Sequence, residues 1–239
     1  MRHRGRTLGT CARLLGEQGG RYASALGIDL GGGRPSEVFK WFLASILYGA
    51  RISQGIAAQT YREFARAHVL SPRTIVKTGW DGLVQILDRG GYVRYDFKTA
   101  TKLLLVCESL MKDYGGNLNA LHAAARDAHD LERRVRALGK GIGEVTAGIF
   151  LRELRGVWSK ADPIASELAL ASARDLGLIS RRLADRSAAI RRLRGIWRAA
   201  PVRGFCFADF EAALVRHGIG LRHSRAPAAT WRRARWYFR

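Results

Sequence analysis

Cysteine, proline, acidic residues and long apolar runs are all scarce in this chain, and each scarcity closes off a class of protein. The 239 residues include three cysteines, Cys11, Cys107 and Cys206. They are too few and too scattered for a disulfide framework, a CxxC pair or a zinc site. A reducing, cytoplasmic setting is the expectation, with no metal ligand set. Five prolines and few β-branched runs argue against an all-β fold. The longest apolar stretch, Val38–Ala50, is broken by Lys40 and Gly49 and is too short to cross a bilayer. The basic N-terminal segment lacks the apolar core of a secretory signal, so no membrane partner is expected.

What is abundant is positive charge. Lysine and arginine number 41 against 20 acidic residues, a net charge of +21, and the natural partner of such a chain is a polyanion. The excess is uneven. Residues 1–35 carry +4 and residues 181–239 carry +12, leaving +5 for the 145 residues between them. The middle therefore reads as an ordinary folded core. Arginine outnumbers lysine 34 to 7. The guanidinium fork suits phosphate, and a GC-rich genome produces the same bias.

Apolar residues recur at helical spacing along most of the chain. A first helix is expected over Thr7–Leu15, extending as far as Leu26. The Gly31–Pro35 breaker ends that segment, and Ser36 reads as the cap of a helix through Tyr48. Further helices are expected at Gln54–Ala67, Ser71–Thr78, Trp80–Leu87, Asp96–Tyr114, Asn117–Ala125, Asp130–Leu138, Glu144–Leu154, Leu183–Trp197 and Ala208–His217, with another starting at Asp162-Pro163. No strand and no internal repeat is evident. Trp41, Trp80 and Trp158 read as core.

The most informative stretch is Leu138-Gly139-Lys140-Gly141-Ile142-Gly143-Glu144-Val145-Thr146-Ala147. Leu138 and Ile142 are apolar plugs, and the three glycines permit a tight turn with unobstructed backbone amides. An apolar helical run follows. A glycine turn that feeds a helix N-terminus is an anion cradle, because free amides and helix dipole point the same way. A dinucleotide-binding loop would have to follow a strand. Leu131, Val135 and Leu138 instead have helical spacing, so that reading fails. A plain glycine turn between two helices stays open. Asp162-Pro163 is the second signal: aspartate at an N-cap with proline at N1 starts a helix.

Taken together, the hairpin, the aspartate about one helix length beyond it and the Ala171–Ile179 segment resemble the endonuclease III-like helix–hairpin–helix DNA glycosylase superfamily. The resemblance covers residues 36–180 well and the rest loosely. It implies an all-α fold: a six-helix barrel at 36–156 that includes the helix–hairpin–helix at 130–155, and a second helical domain from 1–35 plus 157–224. A basic aromatic tail at 225–239 would follow, adding sequence-independent affinity or standing as a solvated end. By the same resemblance, Gly139, Lys140, Gly141, Gly143, Val145 and Thr146 form the phosphate-binding hairpin, and Asp162 is the catalytic carboxylate. The loop Arg155–Ala161 is one residue shorter than the family pattern.

Two departures matter. Bifunctional members carry a nucleophilic lysine where this chain has Val145, which implies a monofunctional enzyme without lyase activity. Lys140 lies too early for that role, while Lys160, close to Asp162, stays open. Phe210–Arg225 resembles the helix before the family's four-cysteine iron–sulfur loop, but no cysteine follows it, so no cluster is expected. His217 and His223 then face solvent or phosphate. Arg51, with Gln54 second, aligns with the residue that fills the hole left by a flipped base, against the alternative of a solvated helix-end arginine. Tyr48 and Tyr95 are candidates to stack on that base, against the commoner role of core tyrosines. The implied function is base excision on double-stranded DNA by a nucleoid-associated monomer with no obligate protein partner. A non-catalytic DNA-binding protein on the same scaffold is the alternative, and RNA binding through the termini is weaker.

Overall fold

The structure, a computed structural model, describes residues 2–225. The basic aromatic tail lies, apart from Arg225, outside the described residues. Within them the fold is all-helical. The elements are α1 (Arg2–Gln18), α2 (Tyr22–Ala25), α3 (Pro35–Tyr48), α4 (Gln54–Arg66), α5 (Pro72–Arg89), α6 (Asp96–Tyr114), α7 (Leu118–Ala124), α8 (Ala128–Ala137), α9 (Glu144–Glu153), α10 (Glu167–Asp175), α11 (Arg186–Ala199) and α12 (Phe207–Arg225). No strand is present among the described residues. Extended pairing is limited to a single bridge between Arg155 and Trp158.

The described residues divide into two compact units, one of residues 21–163 and one of residues 2–20 with 164–225. The larger unit is built around α3. Its residues Val38, Phe39, Trp41, Phe42, Leu43, Ile46 and Leu47 are all buried, and a helix apolar on nearly every side belongs in a core. Pro35 opens α3 at its first turn and Arg34 is the N-cap, so the expected Ser36 cap is corrected. The fixed φ of proline is already helical, and its missing N–H needs no acceptor there. Trp41 donates its indole N–H to the Phe150 carbonyl at 3.0 Å, and Phe42 meets Phe150 edge-on at 4.9 Å. These contacts clamp α9, the helix that follows the hairpin, to the centre of the unit.

Helix α5 contains one non-helical residue, Gly79, with φ +70°. The sequence suggests two helices meeting there, and the structure joins them across that break. Ser71 and Thr74 cap the start with a reciprocal pair of bonds.

The expected domain boundaries shift. Residues 21–35 and 157–163 belong to the larger unit, not to a second domain, because specific bonds tie them there. The Glu153 carboxylate accepts the Tyr22 and Ala23 N–H groups, each at 2.8 Å. Asn119 donates to the Gly33 carbonyl at 2.8 Å and accepts the Trp158 indole N–H at 2.9 Å.

The smaller unit packs α1, α10, α11 and α12 around Leu14, Leu15, Leu170, Leu193, Phe210 and Leu214. Trp197 stacks on Phe210 at 5.4 Å. Arg216 donates to the Gln18 and Gly20 carbonyls, satisfying acceptors that the end of α1 leaves open. His217 is partly buried rather than solvated, with its Nδ1 3.0 Å from the Ser172 hydroxyl. Asp175 lies 3.8 Å from its Nε2. Ser172 is fully buried.

Candidate nucleic-acid interface

Helices α8 and α9 meet in the hairpin at residues 138–143. Leu138 and Ile142 are buried and anchor it. The Ile142 N–H turns inward to the Gly139 carbonyl at 3.1 Å. Gly141 has φ +94°, a conformation that a side chain strains. Gly143 is the N-cap of α9, and no side chain caps that helix. The helix dipole at this uncapped first turn favours an anion. Glu144 is the one acidic side chain in that turn and opposes a bound anion.

The hairpin borders a surface groove whose other walls come from α8 and include His129, Arg133 and Arg136, with Lys140 on the hairpin itself. Glu132 also lines it and lies 3.7 Å from Arg136. Arg133 is partly committed to Asp130. A cation that the sequence reading missed lies on the other side. The Lys102 Cε, on α6, is 2.7 Å from the point that a Cβ on Gly141 would occupy. Burial pulls the Lys102 pKa below the ordinary lysine value, since desolvation disfavours the charged form. No periodic signal marks Lys102, because only the fold brings α6 under the hairpin.

Asp162 departs from the expected geometry. It caps no helix. Residues 161–166 are irregular, and α10 begins at Glu167 with Ser166 as its cap, whose hydroxyl accepts the Ala169 N–H at 3.2 Å. Arg155 holds Asp162 instead, at 2.5 Å, and also donates to the Pro163 carbonyl. The Arg155 side chain is buried while that of Asp162 is 45% exposed. The carboxylate is thus held by Arg155 and partly exposed. A fixed, accessible carboxylate can stabilise a developing cation or orient a water, although Arg155 offsets part of its charge.

The remaining candidates separate. Val145 is 66% exposed and has no nucleophilic atom. Thr146 is buried, so its side chain serves packing rather than an anion. Its hydroxyl lies 2.2 Å from where a Cβ on Gly49 would sit, which brings the end of α3 hard against the start of α9. Lys160 is committed: its ammonium donates to the Ala123 and Ala125 carbonyls at 3.3 and 2.6 Å. That capping of the C-terminal end of α7 is favoured by the helix dipole.

Arg51 is exposed on the loop between α3 and α4, next to that close contact. Gln54 donates to the Tyr22 hydroxyl at 2.7 Å, which engages its amide in the fold. Tyr48 is half-buried and packs on Tyr22 at 5.3 Å. Tyr95 is half-buried at the start of α6, with the Arg94 guanidinium 5.5 Å from its ring centre. Trp41 and Trp158 are buried, as expected of core residues, but Trp80 is 38% exposed. The cysteine donor set does not fit an iron–sulfur cluster, which needs four thiolates. Two of the three cysteines, Cys11 and Cys107, are buried at separate places and Cys206 is exposed.

Against known proteins, no family model matches the chain and no curated protein matches it.

Proposed function

We propose that the chain is a monofunctional DNA N-glycosylase of base-excision repair. In this reading it is a nucleoid-associated monomer whose larger unit is a six-helix barrel carrying the helix–hairpin–helix. One observation carries the reading: an uncapped glycine hairpin opens its amides into a groove bearing Arg133, Arg136 and Lys140, in the same unit as a fixed, accessible carboxylate. The amides around Gly141 and Gly143 take one phosphate of a DNA duplex, and the groove cations neutralise its neighbours. Arg51 fills the gap left by the extruded base, partly offsetting the cost of unstacking. Breaking the bond between C1′ and the base nitrogen leaves positive charge on the sugar. The base departs with the bonding pair, the Asp162 carboxylate stabilises the sugar's charge and orients the water that adds to C1′, and the proton that water loses ends on the base nitrogen. No lysine takes part, since Val145 replaces the nucleophile and Lys160 is bonded to the end of α7.

The binding half of this reading has its own test. Arg136→Ala and Lys140→Ala are each expected to weaken duplex binding about equally for all sequences. Each should reduce the slope of log affinity against log salt by about 1. An unchanged slope in both variants moves the phosphate contacts elsewhere.

A second reading, a DNA-binding protein without catalysis, is favoured by the Arg155–Asp162 pair, which offsets part of the charge of the candidate carboxylate. A panel of duplexes with single defined lesions separates the two. The glycosylase reading expects release of a free base from at least one lesion, leaving the strand unbroken until alkali is added. Binding to all duplexes with turnover on none establishes the second reading. In the same panel, borohydride is expected to trap no protein on abasic DNA, and efficient trapping would place a lysine in the chemistry.

A further inference from the structure

Most large aromatic side chains in the larger unit are buried, but Trp80 and Phe97 are not. They are 38% and 58% exposed, and they touch one another, with ring centres 5.2 Å apart and planes at 37°. The pair is held in place. The Trp80 indole N–H donates to the Thr101 hydroxyl at 3.0 Å, and that hydroxyl donates to the Phe97 carbonyl at 3.0 Å. The polar edge of the indole is thereby satisfied, while the ring faces keep their accessible apolar area. Trp80 follows the break at Gly79, whose φ of +70° redirects the chain just before it. Burying rings of this size is favourable, so an ordered pair left in water calls for an occupant.

The surroundings identify one. Phe97, Thr101 and Leu105 follow one another at helical spacing on α6, and all three are exposed. Lys98 and Lys102 form the adjacent row, and Lys102 lies against Gly141 of the hairpin. The strip from the aromatic pair to the hairpin is therefore continuous. Phe97 and Lys102 are five residues apart, about 7.5 Å of helix rise. Asp96, whose carboxylate accepts the Phe97 N–H at 2.7 Å, exposed Asp81 and exposed Lys98 stand at the aromatic end, and Lys102 stands at the hairpin end. Carboxylates repel a phosphate but not the face of a neutral base. The strip thus offers Lys102 to backbone and the rings to a base.

We propose that Trp80 and Phe97 stack an unpaired base of the strand whose phosphate the hairpin holds. The preferred substrate is then DNA with a single-stranded stretch beside the bound duplex. This rests on the hairpin being the duplex clamp. Base–aromatic stacking is tolerant of base identity, so the preference is for unpaired structure and not for sequence.

Fluorescence anisotropy of the full chain with a blunt duplex, and with the same duplex bearing a short oligothymidine extension at its 3′ or 5′ end, tests the proposal. The wild type is expected to bind one extended form about tenfold more tightly than the blunt one. Trp80→Ala combined with Phe97→Ala removes that preference and leaves blunt-duplex affinity unchanged, whereas Phe97→Tyr keeps it. Equal affinity for all probes, or a preference that survives the double alanine change, overturns the stacking proposal and leaves the glycosylase reading standing. Failure to bind even the blunt duplex overturns the hairpin's role, and this proposal with it.

Discussion

Asp162→Asn is expected to cut base release by about 10²–10⁴-fold, the range associated with a positioned acid–base group or one preorganised electrostatic contact. Asparagine has nearly the shape of aspartate, and its amide oxygen can still accept from Arg155, so the loop at 155–163 should hold its course. The substitution removes the negative charge proposed to face the sugar and little else. Duplex affinity is expected to change less than twofold, because the proposed phosphate contacts are those of the hairpin and the groove beside it. Single-turnover release and anisotropy on the same preparation read both quantities. Unchanged release would remove Asp162 from the chemistry. Parallel loss of binding and release would make it a structural residue.

Glu153→Ala is expected to have the largest effect on stability, about 3–5 kcal/mol. Glu153 is fully buried and accepts the Tyr22 and Ala23 N–H groups. It also lies 3.8 Å from the buried Arg152 guanidinium, which in turn sits 5.6 Å from the Tyr22 ring centre. Alanine leaves two amides without their carboxylate and a buried cation without its counter-charge, and such groups are expensive away from water. For a domain of this size the midpoint of thermal unfolding should fall by about 10 °C. Circular dichroism on the full chain measures it. A fall of less than about 2 °C would mean that this carboxylate does not anchor residues 21–35 to the larger unit.

The helices were legible wherever a local signal marked both ends. Helix α6 runs Asp96–Tyr114, as its periodicity predicts, because Gly115 at φ +62° ends it in a left-handed cap. The hairpin was legible for the same reason, since its glycines and apolar plugs are neighbours in sequence. What escaped was set by partners far along the chain. Asp162 has the sequence of a helix cap, but Arg155 claims its carboxylate and the cap passes to Ser166. Nothing local singles out Glu153, whose partners are the amides of Tyr22 and Ala23, 131 and 130 residues away. Trp80 reads as core because tryptophan usually is, and only the packing of α5 on α6 leaves it in water. Lys102 belongs to the hairpin through tertiary contact alone. The domain boundary moved for the same cause, as side-chain bonds to Glu153 and Asn119 outweigh the glycine breaker at residues 31–33.

The most direct measurement is a structure of the chain bound to a duplex containing a stable abasic-site analogue. The account predicts one phosphate hydrogen-bonded to the amides around Gly141 and Gly143, and the Asp162 carboxylate beside C1′ of the abasic sugar. DNA bound away from the hairpin, or held by it with Asp162 remote from the sugar, would contradict the account.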